Sequence, residues 1–259
     1  MAFPDHFSGV AADYARYRPE YPTTLFDWLA EVVPRQVLAL DCACGSGQVA
    51  RPLAQRFARV IATDASLQQL TSAPPIENVS LCAAVAEAAP LAAGTVDLVT
   101  VGQALHWFDL DAFAAEVRRV LVPGGVVAAW TYGLPQVDDD EIGAVVSRFI
   151  TETMWPYWPP ETAHVIDGYT SLVLPFPSLE PPPFEMTAEW TLPRFLGFTR
   201  TWSGVARWVE MHGDDPVDGL AAQLGPLWGA DGSTRTIRWT LKILAGTAWP
   251  ERVSSSLAT

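Results

Sequence analysis

Short apolar runs alternate with amphipathic stretches through the first half of the chain. Gln36-Val-Leu-Ala-Leu-Asp41 and Arg59-Val-Ile-Ala-Thr-Asp64 are largely apolar up to a closing acid. Such runs, without polar alternation, suit strands buried on both faces of a sheet. Asn78 to Ala83, Thr95 to Val101 and Val126 to Trp130 extend the series. Between them the spacing predicts helices over 23–33, 48–57, 66–72 and 111–121. Thr23 or Thr24 is placed to cap the first and Asp109 the last. Pro74-Pro75 and Pro123-Gly-Gly125 are stop signals. Five alternations of strand and helix predict an α/β fold with a doubly wound, mostly parallel sheet.

After Tyr132 the character changes. Residues 134–183 are rich in proline and carry Trp155, Tyr157, Trp158, Tyr169 and Phe176. A helix is predicted over 140–153, followed by an irregular covering segment. Strands at 184–192 and 236–245 bring the sheet to seven, with helical stretches at 193–208 and 216–228. No linker separates the halves. The expectation is one domain over 1–259, with an N-terminal cap and first helix (1–35) and a core (36–132). A lid insertion (133–183) follows, then the end of the sheet with a second helical lid segment (184–259).

Composition narrows the function. The chain has 259 residues, 49% hydrophobic and 17% charged, with net charge −13. This is a globular composition, and the acidic balance disfavours nucleic acid and anionic membrane surfaces. No apolar stretch reaches the roughly 18–20 residues of a membrane span. Met1 to Val10 lacks a basic segment followed by an apolar run, so no secretory leader is expected. Cys42, Cys44 and Cys82 read as reduced thiols, which predicts a cytoplasmic protein. Asp138-Asp-Asp-Glu141 reads as the charge complement of a helix N-terminus, not a metal cluster. His6, His164 and His212 have no ligand spacing, so no metal is expected.

The candidate chemistry begins at the first turn. Asp41-Cys-Ala-Cys-Gly-Ser-Gly47 links a strand to a helix, and its glycines allow close backbone approach to a ligand. Asp64 closes the next strand, about 20 residues on, where a carboxylate can accept ribose hydroxyls. The pair suits a nucleotide-like cofactor. NAD is the weaker reading, because a third glycine at the dinucleotide spacing is missing.

At these residues the sequence resembles the class I S-adenosylmethionine-dependent methyltransferases. The resemblance runs from Leu38 to Gln48, then through Ala62-Thr-Asp-Ala-Ser66, Ala86-Glu87 and Asp97-Leu-Val-Thr to Arg119-Val-Leu-Val-Pro-Gly-Gly125. Two further stretches are similar to the trans-aconitate methyltransferase group of small-molecule enzymes. They are Phe7-Ser with Tyr14-Ala-Arg-Tyr-Arg-Pro-Glu-Tyr-Pro22, and Gln103-Ala-Leu-His-Trp-Phe-Asp109.

The resemblance implies a Rossmann-like methyltransferase fold, S-adenosyl-L-methionine as cofactor and S-adenosyl-L-homocysteine as product. It implies that Asp41, Ala43, Gly45 and Gly47 line the methionine end; Ala43 replaces the usual glycine, which is tolerated where φ is negative. Asp64 would bind the ribose, with Ala65, Ala86 and Glu87 about the adenine. Gln103 would lie near the methionine, and Tyr14 and Arg18 would close over the site. For a substrate the candidates are Arg18, His106, Trp107, Arg200 and Trp202. His106 is the candidate general base, or else orients the acceptor by one hydrogen bond.

The expected reaction is methyl transfer to a small molecule, foremost O-methylation of a carboxylate or hydroxyl on an acidic or aromatic metabolite. N-methylation of a heteroaromatic, a non-catalytic cofactor binder and a cofactor-assisted rearrangement are the alternatives. The protein is expected to act as a monomer or homodimer.

Overall fold

The computed structural model describes residues 17–248. Helix α1 (Thr23–Val32) leads into β1 (Leu38–Cys42), α2 (Ala50–Ala54), β2 (Arg59–Asp64), α3 (Leu67–Ser72), β3 (Val79–Ala83) and β4 (Val96–Gly102). A 3₁₀ turn at Leu105–Trp107 precedes α4 (Leu110–Val120), which runs directly into β5 (Leu121–Tyr132). Next come β6 (Gln136–Val137), α5 (Asp140–Arg148), a π-helical turn (Phe149–Met154), a second 3₁₀ turn (Trp155–Tyr157) and α6 (Thr162–Ile166). The described chain finishes with β7 (Glu185–Thr191), α7 (Leu192–Arg200), α8 (Ser203–His212), α9 (Pro216–Trp228) and β8 (Thr234–Thr247).

The strand order is β3-β2-β1-β4-β5-β8-β6, with β7 also pairing β8. Strands β1 to β5 are parallel, and β8 is antiparallel to β5. This is the expected doubly wound, mostly parallel sheet, with the two-residue β6 as an eighth strand beyond the seven predicted. The order reverses between β1 and β4, which is where such sheets open a crevice at their carboxyl ends.

Alternate side chains build two apolar layers. Ala39, Leu98, Ala128 and Trp130 face a layer with α1, α7 and α9. Leu40, Val99, Val127 and Ala129 face the other, with Phe113 and Val117 of α4. Both faces of the central strands are therefore covered, as their unbroken apolar runs require. Each fully buried large side chain contributes about 1.5–3 kcal/mol of burial.

One buried acid sets the register at the opposite end of the sheet. Asp97, with no exposed surface, accepts from Arg35 Nε at 2.8 Å, Val37 N at 3.2 Å and Leu38 N at 2.9 Å. A carboxylate with three donors is satisfied, and it ties the start of β1 to β4.

Several boundaries differ from expectation, each for a local reason. Helix α1 begins after Pro22, with no side-chain cap from Thr23 or Thr24. Helix α2 is short, because Pro52 cannot donate within it. The acids before α5 act as foreseen: Asp139 Oδ1 accepts from Glu141 N and Ile142 N, both at 3.1 Å. That helix gives way to the π turn at Phe149. The stretch 193–208 is two helices, not one. Thr199 and Thr201 donate their hydroxyls to Phe195 O and Phe198 O, and Trp202 adopts an extended backbone between α7 and α8. Hydroxyls bonded back into a helix loosen its own ladder. Among the described residues, no helix is long and apolar enough to cross a membrane.

Candidate active site

The crevice at the switch point is built from the ends of β1, β2 and β4. The turn after β1 is unusual in backbone. Gly45 and Gly47 have φ of +52° and +85°, and Ala43 also lies at +52°. The condition under which alanine replaces glycine without strain, a negative φ, is thus not met at Ala43. A left-handed alanine costs about 1–2 kcal/mol, and such strain gathers at binding sites. A further link holds the turn in place, since Cys44 N donates to Thr63 O at 2.9 Å.

Asp64 fixes the turn from the neighbouring strand. Its Oδ2 accepts from Gly45 N at 2.9 Å and its Oδ1 from Ser66 N at 2.8 Å. Asp41 lies buried at the end of β1. Its Oδ1 accepts from Thr100 Oγ1 at 3.0 Å, while its Oδ2 has no partner among the described residues. Burial, opposed by the Thr100 hydrogen bond and assisted by the Asp64 charge, pushes its pKa up to about 8. The thiols of Cys42 and Cys44 are free, buried and pushed upward by burial, so they stay protonated.

A cleft of about 870 Å³ opens above these residues. Ala43, Gly45, Asp64, Ala65, Ala86, Glu87 and Gln103 all line it, so the structure brings together seven of the residues chosen for the cofactor. Asp41 and Gly47 stand in the same turn, behind the lining. Tyr14 lies outside the described residues. Glu87 Oε1 accepts from Asp109 N at 3.0 Å. Asp109 in turn caps α4 by accepting from Ala112 N at 3.1 Å. Sequence reasoning missed Gln69, Val85 and Phe108 on this lining. The one legible signal was Gln69, a polar residue on an otherwise core-facing position of α3.

Gln103 also has a left-handed backbone, with φ of +58°. Its side chain is anchored to β5: Nε2 donates to Tyr132 O at 3.2 Å, and Oε1 accepts from the Thr131 hydroxyl and from Tyr132 N. Gln103 therefore shapes the junction by its backbone, its amide group being held by β5.

A second cleft, of about 730 Å³, shares Gln103 and Trp107 with the first. Arg18, His106 and Trp202 line it as expected of substrate residues, together with Tyr132, Trp158 and Phe198, which were not foreseen; Arg18, also expected at the cofactor, lines this cleft and not the first. Arg18 donates to Tyr132 Oη at 3.0 Å and to Thr201 O at 3.4 Å. Its guanidinium lies 5.4 Å from the Phe198 ring centre. Trp202 packs against Trp158 and Phe198, both at 5.7 Å between ring centres. Arg200 is not brought here. It is exposed and bonded to Asp215 at 2.5 Å and Asp218 at 2.7 Å.

His106 is half-buried, with Nδ1 2.9 Å from Tyr169 Oη. Tyr169 is itself fully buried and left-handed, with φ of +63°. Burial, with a smaller push from His164, brings the His106 pKa down to about 4. The imidazole is therefore neutral at pH 7 and a weak base. Among the described residues, no group of three or more His, Cys, Asp or Glu could hold a metal ion.

The first cleft suits the cofactor of the resembling family. Left-handed turn residues give close backbone approach, the Asp64 carboxylate stands on the lining, and the orphan Asp41 oxygen fits an ammonium group. Comparison with known proteins agrees. A family model described as a methyltransferase domain matches residues 40–129. A candidate methyltransferase from Dictyostelium discoideum is 31% identical over 216 residues, 82% of this chain and 82% of its own length. The solved structure of a candidate type II methyltransferase from Anaeromyxobacter dehalogenans is 44% identical with a TM-score of 0.84. It covers 90% of this chain and 99% of that one. A malonyl-[acyl-carrier protein] O-methyltransferase from Methylovorus is 30% identical over 143 residues, so the match spans about half of either chain (47% each). These likenesses do not confirm the trans-aconitate subgroup. Turn, topology and relatives agree on one conclusion: the chain belongs to the class I S-adenosylmethionine-dependent methyltransferases.

Proposed function

We propose that the chain methylates an oxygen of a small acceptor seated in the second cleft, with a carboxylate as the favoured nucleophile. The observation that carries this reading is the junction at Gln103 and Trp107, common to a cofactor-shaped cleft and an aromatic one holding Arg18. A guanidinium is suited to anchoring a carboxylate. When bound in the first cleft, S-adenosyl-L-methionine supplies an electrophilic methyl group, whose bond to sulfur breaks as the bond to oxygen forms. Its product is S-adenosyl-L-homocysteine. A carboxylate acceptor loses no proton in this exchange. A hydroxyl acceptor would require a base, and a neutral His106 with a pKa near 4 is ill suited to that task.

His106 instead orients the acceptor, its ring held by Tyr169. Trp107, Trp158 and Trp202 exclude water and hold the acceptor in line, which is where such a reaction gains most. The O-methyltransferase relative supports oxygen as the nucleophile. Calorimetry with S-adenosylmethionine, S-adenosylhomocysteine and NAD is the first test. Micromolar binding of the first two is expected, followed by methyl transfer to small carboxylic acids in an acceptor screen. NAD binding alone overturns the cofactor reading, and turnover restricted to amines overturns the oxygen reading.

A further inference from the structure

Beyond the acceptor cleft lies a third one, of about 1320 Å³, on the same side of the sheet as α6. The second and third clefts share Gly133, Leu134, Pro135, Val165 and Ile166. These five apolar residues form the saddle common to the two spaces. Gly133 is the notable member. A Cβ built on it meets no atom within 4 Å, so open space lies above the saddle at that point.

Lys242, the single lysine in a chain of net charge −13, lines the third cleft and not the second. Its ammonium has no ion-pair or hydrogen-bond partner among the described residues. Its stem passes close to Gly168, where a Cβ would lie 2.8 Å from Lys242 Cγ. Asp167, the one carboxylate on the lining, is turned to Ser171 and the backbone of the following turn, which hold its pKa low. Lys242 also pairs directly with Thr131 across the β5–β8 ladder. Directly paired residues emerge on one face, so Lys242 stands one strand from the Thr131 hydroxyl that anchors Gln103.

We infer that the acceptor site continues over Gly133 into the third cleft, and that the acceptor is elongated, with an apolar middle and an anionic group at the end remote from the methylated oxygen. Lys242 takes that anionic end. Leu134, Val165 and Ile166 contact the middle. This inference rests on the methyltransferase reading above and specifies its acceptor class.

The test uses the protein loaded with S-adenosylhomocysteine and titrated by calorimetry with α,ω-dicarboxylates of four to twelve carbons. Monocarboxylates of the same lengths serve as comparison. Affinity is expected to rise with diacid length, and Lys242→Met to weaken the longer diacids about tenfold while sparing monoacids. Gly133→Val, for which there is room, should weaken long diacids and leave the shortest unchanged. Both variants should bind S-adenosylhomocysteine as the parent does. Diacid affinity independent of length, an equal loss for mono- and diacids in Lys242→Met, or no diacid binding at all overturns the inference while leaving the methyltransferase reading intact. Failure of the parent protein to bind S-adenosylhomocysteine removes both.

Discussion

The Asp64 carboxylate accepts the Gly45 amide at 2.9 Å, joining the end of β2 to the turn after β1. The acid fixes the loop that borders the first cleft, and the proposed function gives it a second duty, accepting from the cofactor. Asp64→Ala removes both. Loss of hydrogen bonds to a charged group costs about 1.5–3 kcal/mol, or roughly a 10- to 150-fold weakening of S-adenosylhomocysteine binding by calorimetry. An unchanged dissociation constant would take Asp64 out of the cofactor site.

Asp41 makes the protein sensitive to alkaline pH. Its carboxyl rises from an ordinary 3.8 to about 8 on folding, chiefly through burial. The folded state therefore holds a proton that the unfolded state releases. Its stabilising contribution is complete below about pH 4 and is lost progressively as pH climbs through 8. Thermal unfolding between pH 6 and 9 should show a falling midpoint in the parent protein and a flatter profile in Asp41→Asn. An ammonium group arriving beside Asp41 favours the carboxylate, so cofactor binding near pH 7 should release a proton. Calorimetry in two buffers of different ionisation enthalpy reads that proton, which Asp41→Asn should abolish.

His106 gives the opposite sign. Its pKa falls from 6.5 to about 4 on burial, so the unfolded state binds the extra proton. The stability it contributes is present above about pH 6.5 and is lost as pH drops toward 4. Turnover should show no limb near pH 6–7 from this group. His106→Ala should lower turnover with cofactor affinity unchanged. A rate profile breaking near pH 6.5 and lost in His106→Ala would restore the histidine as a base.

Trp202 and Arg200 are neighbours in sequence with opposite placements. Trp202→Ala should raise the acceptor KM severalfold more than the cofactor KM, since the ring lines only the second cleft. Arg200→Ala should leave both constants unchanged. It should cost at most about 1 kcal/mol of stability, as for exposed ion pairs. A larger acceptor effect from Arg200 than from Trp202 would reverse the assignment.

Much of the cofactor half was legible because its signals are local. The runs ending in Asp41 and Asp64 follow from burial on both faces, and the intervening small residues mark the turn. What escaped is what local sequence does not encode. Alanine disfavours left-handed backbone, so nothing at Ala43 announces φ of +52°. His106 and Tyr169 are 63 residues apart, and only the third dimension joins them. Arg200 lies on a lid helix as foreseen, but the helix turns it toward Asp215 and Asp218, which follow only after α8. Trp202 lines the second cleft from the break between α7 and α8, beside two threonines whose hydroxyls bond back to Phe195 O and Phe198 O.

Strand β8 has a consequence for how the molecule is made. Its residues 241–247 complete the ladder of β5, and its residues 234–240 pair with β7. A nascent chain emerges from its N-terminal side, so β5 presents an open apolar edge until residue 247 has been synthesised. Such edges are templates for mispairing, and pairing across more than a hundred residues is slow to find. Production of the protein is therefore most vulnerable to aggregation in the interval between the synthesis of β5 and that of β8, and a truncation that removes β8 takes away the partner that protects the central sheet.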